Sequence, residues 1–492
     1  MQSSHTHKSG APRRDMWYYA LGESGTAIPL LTIGNFAMVF YTQALGLPAT
    51  LAALALSITT LWDAITDPVM GHVTDNTKSR FGRRHPYLLI GGILVALSLY
   101  FVWFVPESIV SNHGLLFAYL LGVNILLRTA VTIFVIPFTA LGFEICTTYE
   151  SRASLQSIRY VVNMAINFTF GAMAWTLFFK DGINPDGSRL DGTNIVANYE
   201  QMGITIAIAT LCLTLLCCYL TRHYITDSRA MKTAHAGIKA FFLSIVQIFR
   251  DPQANKVFLF YFVAQIGIGL TAQMQIYTFI DYMQLSAFQK TVVHSATMVG
   301  FTLGSLLIVW LVKHFEKRNI CSGATVFSLA MGLLMFATFG QSAIREAVAN
   351  MGEWYTTVLF ALPQALFWLG CGIIIPLTIS MIADASEVNF HKTGELKDGS
   401  YSAIFSFVIK AATSVGILIS GFTLEWLGYA EGVTTQAPET ARAIANFSFL
   451  GGPIVIALGL VFIWRYGINR DTLAAYKQNA HSNESTAAQT NA

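Results

Sequence analysis

Apolar residues in this chain fall in runs of 20 or more, separated by short polar or Gly/Pro-rich breaks. That is the length a helix needs to cross about 30 Å of hydrocarbon at roughly 1.5 Å per residue. Cut at the breaks, the runs predict twelve helices, at 18–46, 50–72, 86–106, 114–144, 153–179, 204–223, 256–283, 289–313, 320–341, 354–386, 400–428 and 441–468. The fold class this predicts is an all-α membrane protein of twelve transmembrane helices in two six-helix pseudo-repeats. No strong residue identity links the halves, so the repeat rests on topology.

An even number of spans puts both termini on one side, and the basic residues say which. The tails and even-numbered loops hold Lys8, Arg13, Arg14, Lys78, Arg80, Arg83, Arg84, Arg152, the basic stretch 222–256, Lys313, Lys317, Arg318, Lys392, Lys397, Arg465, Arg470 and Lys477. The opposite loops hold only Lys180, Arg189, Lys290, Arg345 and Arg442. By the positive-inside rule both termini are cytoplasmic, in a bacterial inner membrane. The expected organisation is a tail (1–15), a first half (16–223), a central cytoplasmic loop (224–255), a second half (256–468) and a tail (469–492). The loop carries an amphipathic stretch, GIKAFFLSIVQIF, whose apolar face is expected to lie along the membrane surface.

Composition agrees and excludes alternatives. Hydrophobic residues are 54% of the 492 and charged residues 12%, about half the share usual in soluble proteins. The first sixteen residues have no apolar core of a signal peptide, which leaves the first span as the targeting signal. The six cysteines lie in or at the ends of apolar runs without metal-ligand spacing, and read as small core residues. The loop KDGINPDGSRLDGTNIVANYEQ lacks the acidic residues a calcium loop needs at Gly182 and Thr193, so it reads as a solvated turn. HisThrHis near the N-terminus has no further ligands, and the tail from Thr472 has a disordered composition. There is no His-rich metal set, nucleophile elbow, Walker loop or appended soluble domain. An enzyme, a cofactor and a nucleic-acid partner are therefore not expected; the partners are the lipid bilayer and a small molecule, and the protein is expected to be a monomer.

Two acidic residues change the picture. Asp63 and Asp67 lie within the apolar run 51–70. A carboxylate at membrane depth costs about 2.5–3.5 kcal/mol on insertion scales, so two on one segment imply a function. Spaced i and i+4, they stack on one helix face roughly 6 Å apart. They repel unless a cation sits between them. That is the chemistry of a cation-coupling site.

The segment after them, Gly71-His-Val-Thr-Asp75-Asn-Thr-Lys-Ser-Arg80-Phe-Gly82-Arg83-Arg84, resembles the Gly-x-x-x-Asp…Arg-x-Gly-Arg-Arg loop of the major facilitator superfamily. Its glycines permit a tight turn, and Asp75 can pair with a basic residue in one conformation and release it in another. The same arginines also serve as a topology anchor. Read together with Trp62-Asp63-Ala64-Ile65-Thr66-Asp67-Pro68-Val69-Met70 and Arg84-His85-Pro86, the segment resembles the glycoside-pentoside-hexuronide:cation symporter family, whose best-known member is melibiose permease. The helix count, the MetIleAlaAsp384 sequence and Lys410 agree.

The resemblance implies residue roles. Asp63, Asp67 and Thr132 take the cation positions, the metal being Na⁺ if coupling is to sodium, with H⁺ the other candidate. Hard oxygen ligands of this kind suit Na⁺. Lys410 takes the position of a helix-eleven lysine that holds the acidic site when no ion is bound, and Arg159 that of a helix-five arginine near the sugar. The cytoplasmic gate falls on Asp75, Arg80, Arg83, Arg84 and Asp384. The family's sugar-clamping aspartates are replaced by Ser24 and Val135, and its helix-four aromatic platform by Thr139. Candidate substrate contacts are then Glu23, Ser24, Asn35, Gln156, Arg159, Asn163, Asn167, Gln273, Gln275 and Tyr401 near the expected midplane, with Trp62 and Trp368 able to stack on a sugar. Arg128, Glu144 and Glu425 are expected near helix ends, where snorkelling or interhelical pairing is the default; Asp281 and Asp384 read as gate salt bridges. The expected function is symport of a sugar, glycoside or oligosaccharide with Na⁺ or H⁺ by alternating access. The alternative is a lysolipid-like amphiphile carried on the same fold.

Overall fold

The structure, a computed structural model, describes residues 12–146, 148–225, 251–393, 398–473 and 475. The amphipathic stretch of the central loop, the HisThrHis sequence and most of the C-terminal tail lie outside the described residues. Among the described residues, ten helices are long and apolar enough to cross a membrane. In chain order, with two further helical stretches, they are α1 (13–44), α2 (Ala49–Asp75), α3 (His85–Trp103), α4 (His113–Ile145), α5 (149–178), α6 (Val196–Leu220), α7 (Pro252–Tyr282), α8 (Ala287–His314), α9 (Lys317–Phe339), α10 (Glu353–Thr393), α11 (Ser400–Trp426) and α12 (Pro438–Ile463).

The two stretches outside the ten have physical reasons to differ. In α1 the turns change from α to 3₁₀ at Leu21–Glu23 and to π at Ile33–Ala37 and Phe40–Ala44. In α5 an α-helix, Tyr149–Asn167, carries Gln156, Arg159, Asn163 and Asn167 and passes through a π turn at Phe168–Ala172. Wide π turns of this kind are frequent at functional sites.

The chain divides into two compact units, residues 1–234 with 286–291 and 430–434, and residues 235–285, 292–429 and 435–492. In the first, α3 packs against α4 and α6, and α2 against α4. Gly91 allows the α3–α4 approach, since a Cβ there would stand 2.9 Å from the Phe134 backbone. Tyr19 stacks on Phe138 at 4.3 Å between centroids and donates to the Phe138 carbonyl at 2.6 Å, which joins α1 to α4. In the second unit α7 packs on α11 and α12, and α9 on α10 and α12, around Phe279, Phe339, Phe360 and Phe449. Gly300 and Gly304 of α8 lie so close to α10 that a Cβ on either would overlap the Ala365 or Leu369 carbonyl. This is the small-xxx-small spacing by which membrane helices bring their backbones together.

Two sequence expectations need correction here. Cys146, Cys217, Cys321 and Cys371 are buried, but Cys212 is exposed and Cys218 half-buried on α6, so not all six are core residues. The loop before α6 is also more than a solvated turn. Gly182–Ile183 pairs antiparallel with Arg189–Leu190, Arg189 bridges Asp181 at 2.7 Å, and Asp191 takes the Lys290 ammonium at 2.5 Å. Lys290 is only 1% exposed. Hydropathy could not foresee this, because the partner lies 99 residues away.

Burial alone would raise the Asp191 pKa; the Lys290 charge and hydrogen bonds from Lys290 and Thr193 outweigh it, and the net shift is downward. A carboxyl whose folded pKa lies below its unfolded value contributes stability above the unfolded pKa and loses it as pH falls through the folded one. Amide exchange across 181–194 should therefore remain slow from pH 7 down through the ordinary aspartate range and accelerate only below it. Asp191→Asn should expose the segment at neutral pH, at a cost of about 3–5 kcal/mol for a broken buried pair.

Candidate cation and substrate site

Asp63 and Asp67 share one face of α2, and across from them α4 presents Arg128 and Thr132 at the same four-residue spacing. The helices meet as two rungs. Arg128 Nη1 donates to Asp63 Oδ2 at 2.8 Å, and Thr132 Oγ1 donates to Asp67 Oδ1 at 2.8 Å. Thr66 and Thr132 hydroxyls lie 3.3 Å apart, and the Trp62 indole N–H donates to Thr129 Oγ1 at 2.9 Å. Asp67 and Thr132 are thus brought together as expected. Arg128, by contrast, stands midway along α4, not near its end. The cation found against Asp63 is this arginine, which sequence reasoning missed; the signal was present in the matching 128/132 and 63/67 spacings. Lys410 lies half-buried on α11 in the second unit.

Arg159 joins α5 to α1, its Nε donating to Glu23 Oε2 at 2.9 Å. Both side chains are largely buried, at 16% and 10% exposed. The guanidinium also sits 5.1 Å from the Phe138 ring centroid. Gln156 and Asn163 approach the same pair at 3.5 Å each, and Asn167 donates to Asn163 Oδ1 at 2.8 Å. One turn-by-turn polar stripe on α5 therefore faces Glu23. Asn35, in the π turn of α1, has a buried amide nitrogen with no hydrogen-bond partner in the structure.

Other candidates are placed differently. Ser24 is fully buried, and its hydroxyl donates to the Leu21 carbonyl of its own helix at 2.8 Å, so it does not face the polar stripe as a spare group. Tyr401 is not at a midplane: it stands near the start of α11, and its hydroxyl donates to Asp251, the residue capping α7, at 2.7 Å. In the second unit the Trp368 indole N–H donates to Gln275 Oε1 at 3.0 Å. Gln273, two residues away and hence about 200° around the helix, points elsewhere.

The loop after α2 closes on Arg84, 7% exposed, which binds Asp75 at 2.8 Å, Glu144 at 3.0 Å and Thr74 at 3.0 Å. Arg83 adds a second contact to Glu144 at 2.8 Å. Arg80 is not part of this cluster: it is exposed and lies over its neighbour Phe81 at 4.7 Å. In the second unit Lys317, the first residue of α9, binds Asp384 at 2.5 Å and Ser380 at 2.8 Å. No cluster of three metal-ligating His, Cys, Asp or Glu side chains occurs among the described residues. The α2–α4 site offers two carboxylates and two threonine hydroxyls, oxygens that suit a monovalent cation.

Comparison with known proteins bears on this geometry. A family model described as MFS/sugar transport protein matches residues 18–470. The chain is 22% identical to the isoprimeverose transporter of Lactiplantibacillus pentosus, over 98% of this chain and 95% of that protein. It is 24% identical to the human sodium-dependent lysophosphatidylcholine symporter 1, over 88% of this chain and 80% of that protein. The crystal structure of a D-xylose-proton symporter has the same fold, with a TM-score of 0.58 at 13% identity over 93% of this chain and 97% of that one. The chain therefore belongs to the MFS/sugar transport protein family, among the transporters that resemble the glycoside-pentoside-hexuronide:cation symporters of the major facilitator superfamily.

Proposed function

We propose that this protein is a secondary active transporter that couples entry of Na⁺ or H⁺ at Asp63, Asp67 and Thr132 to symport of a sugar, glycoside or oligosaccharide by alternating access. The two-rung arrangement of α2 and α4 carries the reading, because intramembrane carboxylates aligned with hydroxyls on a facing helix are costly unless they bind an ion. Sugar hydroxyls would meet the donors and acceptors of Glu23, Gln156, Arg159, Asn163 and Asn35. Twelve spans follow if α1 and α5 cross the membrane with the other ten. A recurring ion pair supports two pseudo-repeats: a basic residue at the N-terminus of α3 or α9 reaches a carboxylate late in α4 or α10, as Arg84–Glu144 and Lys317–Asp384. Cytoplasmic termini in a bacterial inner membrane, a monomeric state and a coupling role for Lys410 belong to the same proposal, supported by the basic-residue pattern and the family.

A second reading has specific support. Val135 and Thr139 stand where the family's sugar clamp is polar and aromatic, and a relative similar along most of the chain is named for lysophosphatidylcholine. Cargo chemistry decides between them. Thermal unfolding of the purified protein with a panel of monosaccharides, disaccharides, glycosides and hexuronides, against lysophosphatidylcholine, in NaCl or choline chloride, separates the two. A Tm rise with a sugar, larger with the coupling ion, is expected; a rise with the lysolipid alone selects the second reading.

A further inference from the structure

Arg128 is not required by a two-carboxylate cation site, and at membrane depth a guanidinium is costly and always charged. Its presence calls for a reason. Helix packing does not supply one, since α2 and α4 are already joined by Trp62–Thr129, Thr66–Thr132 and Thr132–Asp67. Electrostatics does. The formal charges of Asp63, Asp67 and Arg128 sum to one negative, so a single monovalent cation brings the trio to neutrality. Without Arg128 the sum would be two negative. The guanidinium also reaches Thr60 Oγ1 at 3.5 Å, so it is seated in the site with Asp63, where the two side chains are 15% and 13% exposed.

We propose that Arg128 is a tethered competitor for the cation site. Its guanidinium holds Asp63 Oδ2 in place of the coupling ion, and must leave that oxygen before a metal ion can take it. The oxygen that accepts a 2.8 Å hydrogen bond from Nη1 cannot give the same lone pair to Na⁺. Arg128 thereby weakens metal binding and limits the site to one ion. Because α4 must release α2 at this rung when the ion enters, the exchange also links occupancy to helix contact. The proposal rests on reading Asp63, Asp67 and Thr132 as the cation site.

The test is Na⁺ binding to the purified full chain, measured with radioactive sodium and as a NaCl-dependent Tm rise against choline chloride at constant ionic strength. Arg128→Gln should tighten Na⁺ binding on the order of tenfold, which corresponds to ~1.4 kcal/mol. Arg128→Lys, whose ammonium can still sit on Asp63, should stay near the parent affinity. The pair Asp63→Asn with Arg128→Gln should lose the gain. If Arg128→Gln folds only in NaCl, rescue by Na⁺ and not by choline supports competition, and failure of NaCl to rescue it overturns the proposal. Unchanged or weaker binding in a folded Arg128→Gln protein also overturns it and leaves the cation site standing. Absence of Na⁺ and Li⁺ binding in the parent, Arg128→Gln and Asp67→Asn proteins alike overturns a metal ion as the occupant of this site, and the proposal with it.

Discussion

Asp67→Asn is expected to abolish uphill accumulation of substrate while the protein still inserts, folds and equilibrates its cargo. The amide keeps the size of the carboxyl and an oxygen to accept from Thr132 Oγ1, now 2.8 Å away, so the loss in folding stability should be about 1 kcal/mol or less. The charge is what disappears. Two unit charges about 4 Å apart attract by roughly 4 kcal/mol at an effective dielectric near 20, so ion affinity should fall by on the order of a hundredfold or more even after compensation by other ligands. Vesicles separate the two effects: exchange of labelled for unlabelled substrate at equal concentration should persist, whereas accumulation driven by a Na⁺ or H⁺ gradient should vanish. Gradient-driven accumulation that survives in Asp67→Asn would remove this carboxylate from the coupling site.

The contrast between Asp67 and Asp63 shows what a sequence discloses in this fold and what it withholds. Most helices could be read because a lipid-facing span must be apolar along its length, and α4, expected at 114–144, is found at His113–Ile145. The stretches α1 and α5 were located, but their π turns and the polar stripe of α5 belong to a local hydrogen-bond pattern that hydropathy does not encode. The carboxylates were legible because their cost in lipid is a property of one segment. Their partners were not, because a partner lies on another helix at a register that only packing sets. Arg128 therefore went unassigned to Asp63, although its spacing to Thr132 repeats that of Asp63 to Asp67. The partners of Ser24 and Tyr401 are hidden for the same reason: one donates within its own helix, the other to a helix cap 150 residues away. By sequence Lys290 reads as a loop charge, and in the structure it is a buried anchor for Asp191.

The Glu23–Arg159 pair should show a large effect on both stability and transport. Arg159→Met leaves Glu23, 10% exposed, without its guanidinium, and Glu23→Gln leaves Arg159 facing an amide beside the Tyr19–Phe138 stack. Breaking a buried pair from one side costs about 3–5 kcal/mol, whereas removing both charges together is often close to neutral. Each single variant should therefore lower Tm by several degrees, and the double variant Glu23→Gln, Arg159→Met should regain most of the loss, which makes the coupling energy larger than the cost of either single change. Transport distinguishes a scaffold from a site. If the pair only ties α1 to α5, the double variant should transport nearly as well as the parent. If Glu23 and Arg159 bind cargo hydroxyls or a carboxylate, as their neighbours Gln156 and Asn163 suggest, the double variant should be stable and inactive, with its substrate-induced Tm rise lost while the Na⁺- or pH-dependent rise at Asp67 remains. The substrate-site outcome is expected, because hydrogen bonding of this stripe is concentrated on one charged pair that a scaffold could replace with apolar packing. A stable double variant with full uptake would assign the stripe to helix association and move the search for the cargo site to Trp368 and Gln275.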